Sequence, residues 1–324
     1  MSIRVGIAGY GNLGKGVELA VSRAPDMELT AVLSRRNPTA LTLQTPGVPV
    51  YALDEAGRLK AGIDVIILCG GSAKDLPAQG PQLAAMFNTV DSFDAHTDIP
   101  AYLSKMDTAA TDTTAIISSG WDPGLFSMMR MLSGAVLPDG NDYTFWGYGV
   151  SQGHSNAIRG VEGVRDAVQY TVPLEAAVSA VRSGANPSLT AGQKHLRECF
   201  VVPEEGADLA KIEESIRQMP YYFAGYETIV RFVSQEELLR GHAGMPHGGH
   251  VFRTGVTGGE HKQVMEFSLK LDSNPEFTAS VMTACARAAV RLSREGVFGA
   301  KTVFDIPLSY LSPTDRNTLI KELL

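Results

Sequence analysis

Ile3-Arg4-Val5-Gly6-Ile7-Ala8-Gly9-Tyr10-Gly11-Asn12-Leu13-Gly14 lies at the start of this chain of 324 residues, and its reading decides the fold. Ile3 through Ala8 is a short apolar run of the kind that forms a buried strand. The six residues after it carry the spacing G-x-G-x-x-G, and Val17-Glu18-Leu19-Ala20-Val21 then predicts a helix. In a strand–turn–helix that binds a dinucleotide, each glycine has its own duty. Gly9 makes the tight turn, Gly11 lets a pyrophosphate approach the backbone, and Gly14 lets the helix pack closely on the strand. The free N–H groups and dipole of the helix N-terminus favour the anion. Gly9 to Gly14, with Tyr10, Asn12 and Leu13 between the glycines, is therefore the expected cofactor loop. The spacing alone is a weak signal. It gains weight from lying in the first strand–turn–helix, ahead of a second apolar strand, Leu29 to Leu33.

The end of that second strand bears on which nucleotide is bound. Some twenty residues past the fingerprint, a chain that binds NAD usually sets an Asp or Glu against the ribose 2′-hydroxyl. Here the residues are Ser34-Arg35-Arg36. A hydroxyl and two guanidinium groups suit a 2′-phosphate, which a carboxylate would repel, and so point to NADP. The plainer alternative is two solvated arginines on a surface turn.

Working outward, Val65-Ile66-Ile67-Leu68-Cys69 reads as another buried strand, ending in Gly70-Gly71-Ser72-Ala73. Ligands of doubly wound sheets bind at the carboxyl ends of strands, so Cys69 to Ala73 is a candidate cofactor wall as well as a plain turn. Val48-Pro49-Val50 is a short strand candidate. Leu83–Met86 and Ile99–Ala109 read as helices, Thr89–Asp91 and Ala115–Ser118 as strands. This alternation over 1–118 predicts an α/β, Rossmann-type doubly wound parallel sheet. Beyond it, Pro123 is placed to start a helix. Longer alternating segments follow, from Asp142–Trp146 to Val264–Leu269, and predict a second, α+β domain on a mixed or antiparallel sheet. The expected division is 1–118 for the nucleotide, with about 296–324 packing back on it, and 119–295 for substrate and dimerisation. An Ala-rich helix from Pro275 to Arg294 suits close packing on the first domain.

Composition bounds the rest. Hydrophobic content of 44%, charged content of 19% and net charge −7 describe an ordinary soluble chain without the basic surface that nucleic acid or anionic membrane requires. Three scattered cysteines fit no disulfide framework and no metal cluster, and agree with a reducing cytoplasm. No signal peptide or membrane-spanning run is read.

A nicotinamide enzyme must hold a substrate carbon and manage one proton. Loops at the carboxyl edge of the sheet supply Asp91, Asp94 and Asp122, the last beside Trp121. Carboxylates with an aromatic wall suit an ammonium group. Each also fits a cap or turn, Asp122 before Pro123 especially. Anion binders come later: His195 and Arg197 on one face of an extended segment, Thr171, and Gly244 to His250. His247 and His250 lack a carboxylate or thiolate to complete a metal set, so no metal is expected. Gln152 to Asn156 reads as a polar loop. Spacing thus leads to an NADP-dependent oxidoreductase for a substrate with ammonium and carboxylate groups.

The strings Gly9–Gly14, Ser34-Arg35-Arg36, Thr89-Val90-Asp91, Gly120-Trp121-Asp122-Pro123-Gly124, Thr144–Gly147, Ser151-Gln152-Gly153-His154-Ser155, Met245–His250 and Leu271–Ala279 occur in order. Together they resemble the meso-diaminopimelate D-dehydrogenase family over nearly the whole chain. The resemblance implies reversible, NADP-dependent oxidative deamination at the D-centre of meso-2,6-diaminopimelate, to L-2-amino-6-oxopimelate and ammonia. It implies that Asp94 and Asp122 hold the D-centre amine and that either takes its proton, with Trp121, Gln152 and Gly153 shaping that end. Thr171, Arg197, His247 and Asn274 would grip the L-centre. It also implies a homodimer. Another NADP-dependent reductase of the same build, such as an aspartate or homoserine dehydrogenase, and a non-catalytic NADPH sensor are the competing readings. Neither needs both the carboxylates and the Thr171–Arg197–His247 cradle.

Overall fold

The computed structural model describes residues 2–324. Six strands come first: β1 (Ile3–Ala8), β2 (Met27–Ser34), β3 (Val50–Ala52), β4 (Val65–Leu68), β5 (Asn88–Asp91) and β6 (Thr114–Ile116). Next are β7 (Gly140–Trp146), β8 (Gly149–Val150), β9 (Val164–Pro173), β10 (His195–Pro203), β11 (Thr228–Phe232), β12 (His247–Thr257) and β13 (His261–Leu271), and finally β14 (Gly299–Lys301). The helices that matter to the site are α1 (Asn12–Arg23), α2 (Leu76–Ala84), α3 (Ile99–Ala109), α4 (Leu125–Val136) and α5 (Gln152–Arg159).

Residues 2–128 and 275–324 form one compact unit, and residues 129–274 form the other. The first holds a seven-stranded parallel sheet in the order β14-β6-β5-β4-β1-β2-β3. Val5, Ile7, Val65, Ile66 and Ile67 have no exposed surface, because a parallel sheet is covered on both faces. One face packs Val17 and Val21 of α1 and Ala286 and Ala289 of the long helix Asn274–Arg294. The other packs Leu83 and Met106 from α2 and α3. The long helix is thus part of the first unit from Pro275 onward, and the boundaries fall at 128/129 and 274/275 where the sequence suggested 118/119 and 295/296. Arg287 fastens it there, with Nε and Nη2 on the two carboxylate oxygens of Asp26 at 2.6 and 2.7 Å.

The second unit splits its strands between two sheets. β11-β10-β9-β8 is mixed, and β13-β12-β7 is antiparallel. The break comes at Gly147, whose φ is +116 and whose added Cβ would lie 2.1 Å from the Thr171 carbonyl oxygen. There the chain leaves the partner of β12 and becomes the partner of β9.

Three local expectations shift. Pro49 cannot donate to a ladder, so its carbonyl accepts from Val32 N (3.1 Å) and the strand proper starts at Val50. Pro123 does not open a helix; Gly120 to Gly124 close a tight turn, Gly120 N to Pro123 O at 2.8 Å, and α4 starts at Leu125. The expected loop Gln152 to Asn156 is the first part of α5, capped by Ser151 Oγ accepting from His154 N.

Candidate active site

The first unit gathers the nucleotide candidates at the carboxyl ends of β1, β2 and β4, where strand order reverses. A cavity of about 460 Å³ is lined there by Gly9, Tyr10, Gly11, Ser34, Arg35, Arg36, Cys69, Gly70 and Gly71, with Leu53, Asp75 and Gln79. The glycines differ as the fingerprint requires. A Cβ on Gly14 would sit 2.2 Å from the Gly9 carbonyl oxygen, Gly9 has φ +96, and a Cβ on Gly11 would meet nothing within 4 Å. Gly11 therefore faces open space of the kind a pyrophosphate occupies. Behind it, α1 has no side-chain cap and no acidic residue in its first turn, so its terminal amides suit an anion. Asn12 and Leu13 begin α1 and lie outside the lining.

The two arginines sit over the same cavity. Arg36 donates to the Tyr10 carbonyl, while exposed Arg35 pairs with Asp75 at 2.8 Å. Cys69 contributes its backbone, since its thiol donates inward to Ile67 O (3.7 Å) and burial pushes its pKa up. Ser72 and Ala73 lie off the lining. Ser72 Oγ instead accepts from Asp94 N at 2.8 Å, tying the loop after β4 to the loop after β5. These features fit a dinucleotide bearing a phosphate near Arg35 and Arg36.

The three aspartates have different fates. Asp94 is exposed and Asp122 is half-buried. Trp121 is buried, set edge-on against Phe126 with centroids 5.3 Å apart. Asp91 is wholly buried and accepts from Phe93 N, Ser118 N and Tyr102 Oη. It offers no lone pair to a substrate at the surface. Asp122 is three residues ahead of α4 and so is not its cap.

In the second unit the register assembles another set. Arg197 of β10 lies opposite Thr171 of β9, and Thr171 lies opposite Gly149 of β8. A Cβ on Gly149 would touch the His247 ring at 2.5 Å, so Gly149 permits the imidazole to lie against β8. The Arg197 guanidinium donates to Thr171 Oγ1 and lies 4.1 Å from the centre of the Tyr226 ring. It is buried, its Nε has no partner, and burial lowers its pKa. Such a cation wants an anion. Asn274 joins the group through its backbone, donating to Met245 O (2.9 Å) two residues before His247. Gln152 and Gly153, both exposed, follow β8 directly, held by Ser151 N on Gln169 O at 3.0 Å.

His195 is not an anion binder. Its Nε2 accepts from Trp146 N at 2.8 Å, and burial, with Arg197 nearby, pushes its pKa down to about 4, so the ring is neutral. His250 is engaged by Ser268 Oγ (2.8 Å) and Glu266. Among the described residues no group of three or more His, Cys, Asp or Glu is placed to hold a metal ion.

Residues 120–273 match the family described as "Diaminopimelic acid dehydrogenase C-terminal domain". The chain is 58% identical to the meso-diaminopimelate D-dehydrogenase of Ureibacillus thermosphaericus, over 99% of each chain. This chain belongs to the meso-diaminopimelate D-dehydrogenase family. Its members are oxidoreductases acting on a CH–NH2 group. Among solved structures, a sextuple mutant of the Clostridium tetani E88 meso-dapdh, with DAP, superposes with TM-score 0.94 at 50% identity, covering 100% of both chains. An engineered D-amino acid dehydrogenase bound to NADP+ gives 0.86 at 44% identity, again covering 100% of both.

Sequence reasoning missed several residues that the structure brings to these candidates. Tyr226, under Arg197, sits between Gly225 and Glu227 with nothing local to mark it. Asp75 and Leu53 line the nucleotide cavity from elements whose approach depends on sheet order. Asp75 carried one signal, its position four residues past Gly71, whose N–H it accepts at 2.9 Å.

Proposed function

We propose that this chain catalyses the reversible, NADP-dependent oxidative deamination of the D-centre of meso-2,6-diaminopimelate, giving L-2-amino-6-oxopimelate and ammonia. The observation that carries the reading is the buried, anion-seeking Arg197 with Thr171 and His247, a cradle that a substrate with one amino-acid centre does not need. The C. tetani relative crystallised with DAP and the NADP+ complex of the engineered relative support substrate and cofactor.

Gly9 to Gly14 and the α1 amides would hold the pyrophosphate. Ser34, Arg35 and Arg36 would hold the 2′-phosphate, and Cys69 to Ala73 would flank the dinucleotide. When bound, NADP accepts a hydride from the α-carbon. Asp94 and Asp122 would bind the D-centre ammonium and take the proton that must leave nitrogen as the C=N bond forms. Either carboxylate can serve as the acceptor of that proton. Trp121, Gln152 and Gly153 would shape that end. Thr171, Arg197, His247 and Asn274 would grip the L-centre, which does no chemistry and supplies binding energy that orients the reacting carbon. Water then adds to the imine carbon and ammonia leaves. In reverse the same chemistry is a reductive amination of the kind that lysine biosynthesis uses.

We infer further that the protein is a cytoplasmic homodimer. Exposed Met131, Leu132 and Val136 on one helix and three free cysteines support this. Among the described residues no helix is long and apolar enough to cross a membrane.

The test is the initial rate of NADPH formation with each diaminopimelate stereoisomer and either NADP or NAD. Turnover on the meso form with NADP, and little on the L,L form, is expected. No turnover on any isomer by protein that binds NADPH would refute the dehydrogenase reading and favour a sensor.

A further inference from the structure

Asp91 ends β5 at the carboxyl edge of the sheet, three residues before Asp94, yet its side chain is turned into the protein. Oδ1 accepts from Phe93 N and Ser118 N, both at 3.0 Å. Oδ2 accepts from Tyr102 Oη of α3 at 2.8 Å. Its carbonyl takes both Ser119 N and Ser119 Oγ, each at 2.8 Å. One residue thereby joins two loops and a helix. Phe93 immediately precedes Asp94, and its ring stacks on Tyr102 with centroids 4.2 Å apart. Ser118 and Ser119 lead into Gly120-Trp121-Asp122.

Ser118 has φ +54, a left-handed conformation that a non-glycine residue keeps only when something outside it holds it. The Asp91 carboxylate supplies that hold. Burial meanwhile raises the Asp91 pKa to about 6, so keeping this carboxylate ionised inside the fold carries a cost. An apolar side chain would serve plain packing at a strand end better. What an apolar group cannot do is accept donors from β5's own exit, from β6's exit and from α3 at once.

We propose that Asp91 is a positioning residue, a single buried carboxylate that sets the loop of Asp94 and the loop of Trp121 and Asp122 relative to each other. The role rests on the reading of Asp94 and Asp122 given above. Asp91 touches no substrate and acts only through Asp94 and Asp122.

The test compares Asp91→Ala, Asp91→Asn and Tyr102→Phe in the full chain. Three readouts are used: NADPH titration, turnover of meso-diaminopimelate per NADPH site, and amide exchange at Phe93 and Ser118. Asparagine keeps a carbonyl oxygen for the two N–H groups and an amide that can donate to Tyr102, so it should preserve the clasp. Alanine removes it. Misplacing a reacting group by an ångström costs about a hundredfold, so Asp91→Ala should lose about that factor in turnover per NADPH site. Its NADPH affinity should stay within about threefold, under 1 kcal/mol. Exchange at Phe93 and Ser118 should accelerate, and Asp91→Asn should recover most of the turnover. Tyr102→Phe, missing one donor, should fall between.

Counting NADPH sites separates positioning from plain structure, because unfolded protein loses sites and turnover together. The proposal is overturned if turnover per site is unchanged in Asp91→Ala, or if Asn is as damaged as Ala. It is also overturned if activity falls only in proportion to lost sites. Should Asp91→Ala not fold, Tyr102→Phe and Asp91→Asn decide the matter. Normal turnover and exchange in Tyr102→Phe would then overturn it. A parent protein that binds NADPH but turns over no isomer would refute the proposed function instead, and the exchange rates would still report on the clasp.

Discussion

Arg197→Met separates the two tasks that a buried cation can have. Arg197 is 8% exposed, donates to Thr171 Oγ1, stacks on Tyr226 and leaves Nε unpartnered. If it binds a substrate carboxylate, its loss strands that anion without its main partner. Removing one member of a desolvated charge pair costs about 3–5 kcal/mol. At about 1.4 kcal/mol per decade, kcat/KM for meso-diaminopimelate should fall by about two to three and a half orders of magnitude. Folding should respond differently. Methionine keeps much of the stem volume and puts sulfur near the Tyr226 ring, a contact worth about 0.3–1.5 kcal/mol. The desolvation that already lowers the Arg197 pKa disappears with the charge. Stability should therefore be unchanged or rise by about 1 kcal/mol, the exchange of stability against activity common at binding sites. Initial rates across substrate concentration, NADPH titration and urea unfolding measure the three quantities. An unchanged kcat/KM would remove Arg197 from the site. A loss of several kcal/mol in unfolding would mean that the guanidinium holds the fold.

Other perturbations probe the remaining links. Replacing Arg35 and Arg36 together with Ser should weaken NADP by about tenfold to a hundredfold and leave NAD within a few-fold, since each charge-assisted contact is worth about 1 kcal/mol when exposed; equal losses for both cofactors would refute the phosphate assignment. Gly124→Ala should cost at least about 3 kcal/mol or abolish soluble expression, because φ is +135 and the new Cβ would lie 1.7 Å from the Gly120 carbonyl oxygen; a melting temperature equal to the parent's would refute this. Arg287→Met should cost about 1.5–3 kcal/mol in unfolding. The Arg287 hydrogen bonds lower the Asp26 pKa, so their stabilisation is full above the unfolded carboxylate value of about 4 and is lost as pH falls through the lower folded value. The gap between parent and Arg287→Met unfolding curves should accordingly close below about pH 4, and a gap that widens with acid would contradict the assignment.

The fingerprint was legible because it is local. Strand, turn and helix succeed one another, and what Gly9 and Gly14 need is set by backbone a few residues away. The same holds for Ile99–Ala109, whose ends the structure reproduces. Legibility failed where the deciding contact is distant. Nothing near Gly147 says that β7 and β8 part into different sheets, and the carbonyl that leaves no room for a Cβ there belongs to distant Thr171. His195 looked like an anion binder two residues from Arg197. Its ring is instead engaged by the Trp146 amide, 49 positions away. Ser72 Oγ supports Asp94 from 22 positions away, a link that no local pattern announces.

Asp91 and Asp94 show why residue type at a promising position is not enough. Both are carboxylates at the exit of one strand. Strand geometry points Asp91 inward, and the turn that follows releases Asp94 to solvent. Composition treats them alike, and so does proximity to the cofactor edge. What separates them is the set of donors at hand: two amides and a phenol for Asp91, of which one amide and the phenol come from elements 27 and 11 residues on. A carboxylate wholly buried under three of the fold's donors does not meet an ammonium from solution, and an exposed one can. The count of donors against acceptors thus removes Asp91 from the proposed chemistry, and the same count supports its proposed task of holding the two loops that carry Asp94 and Asp122.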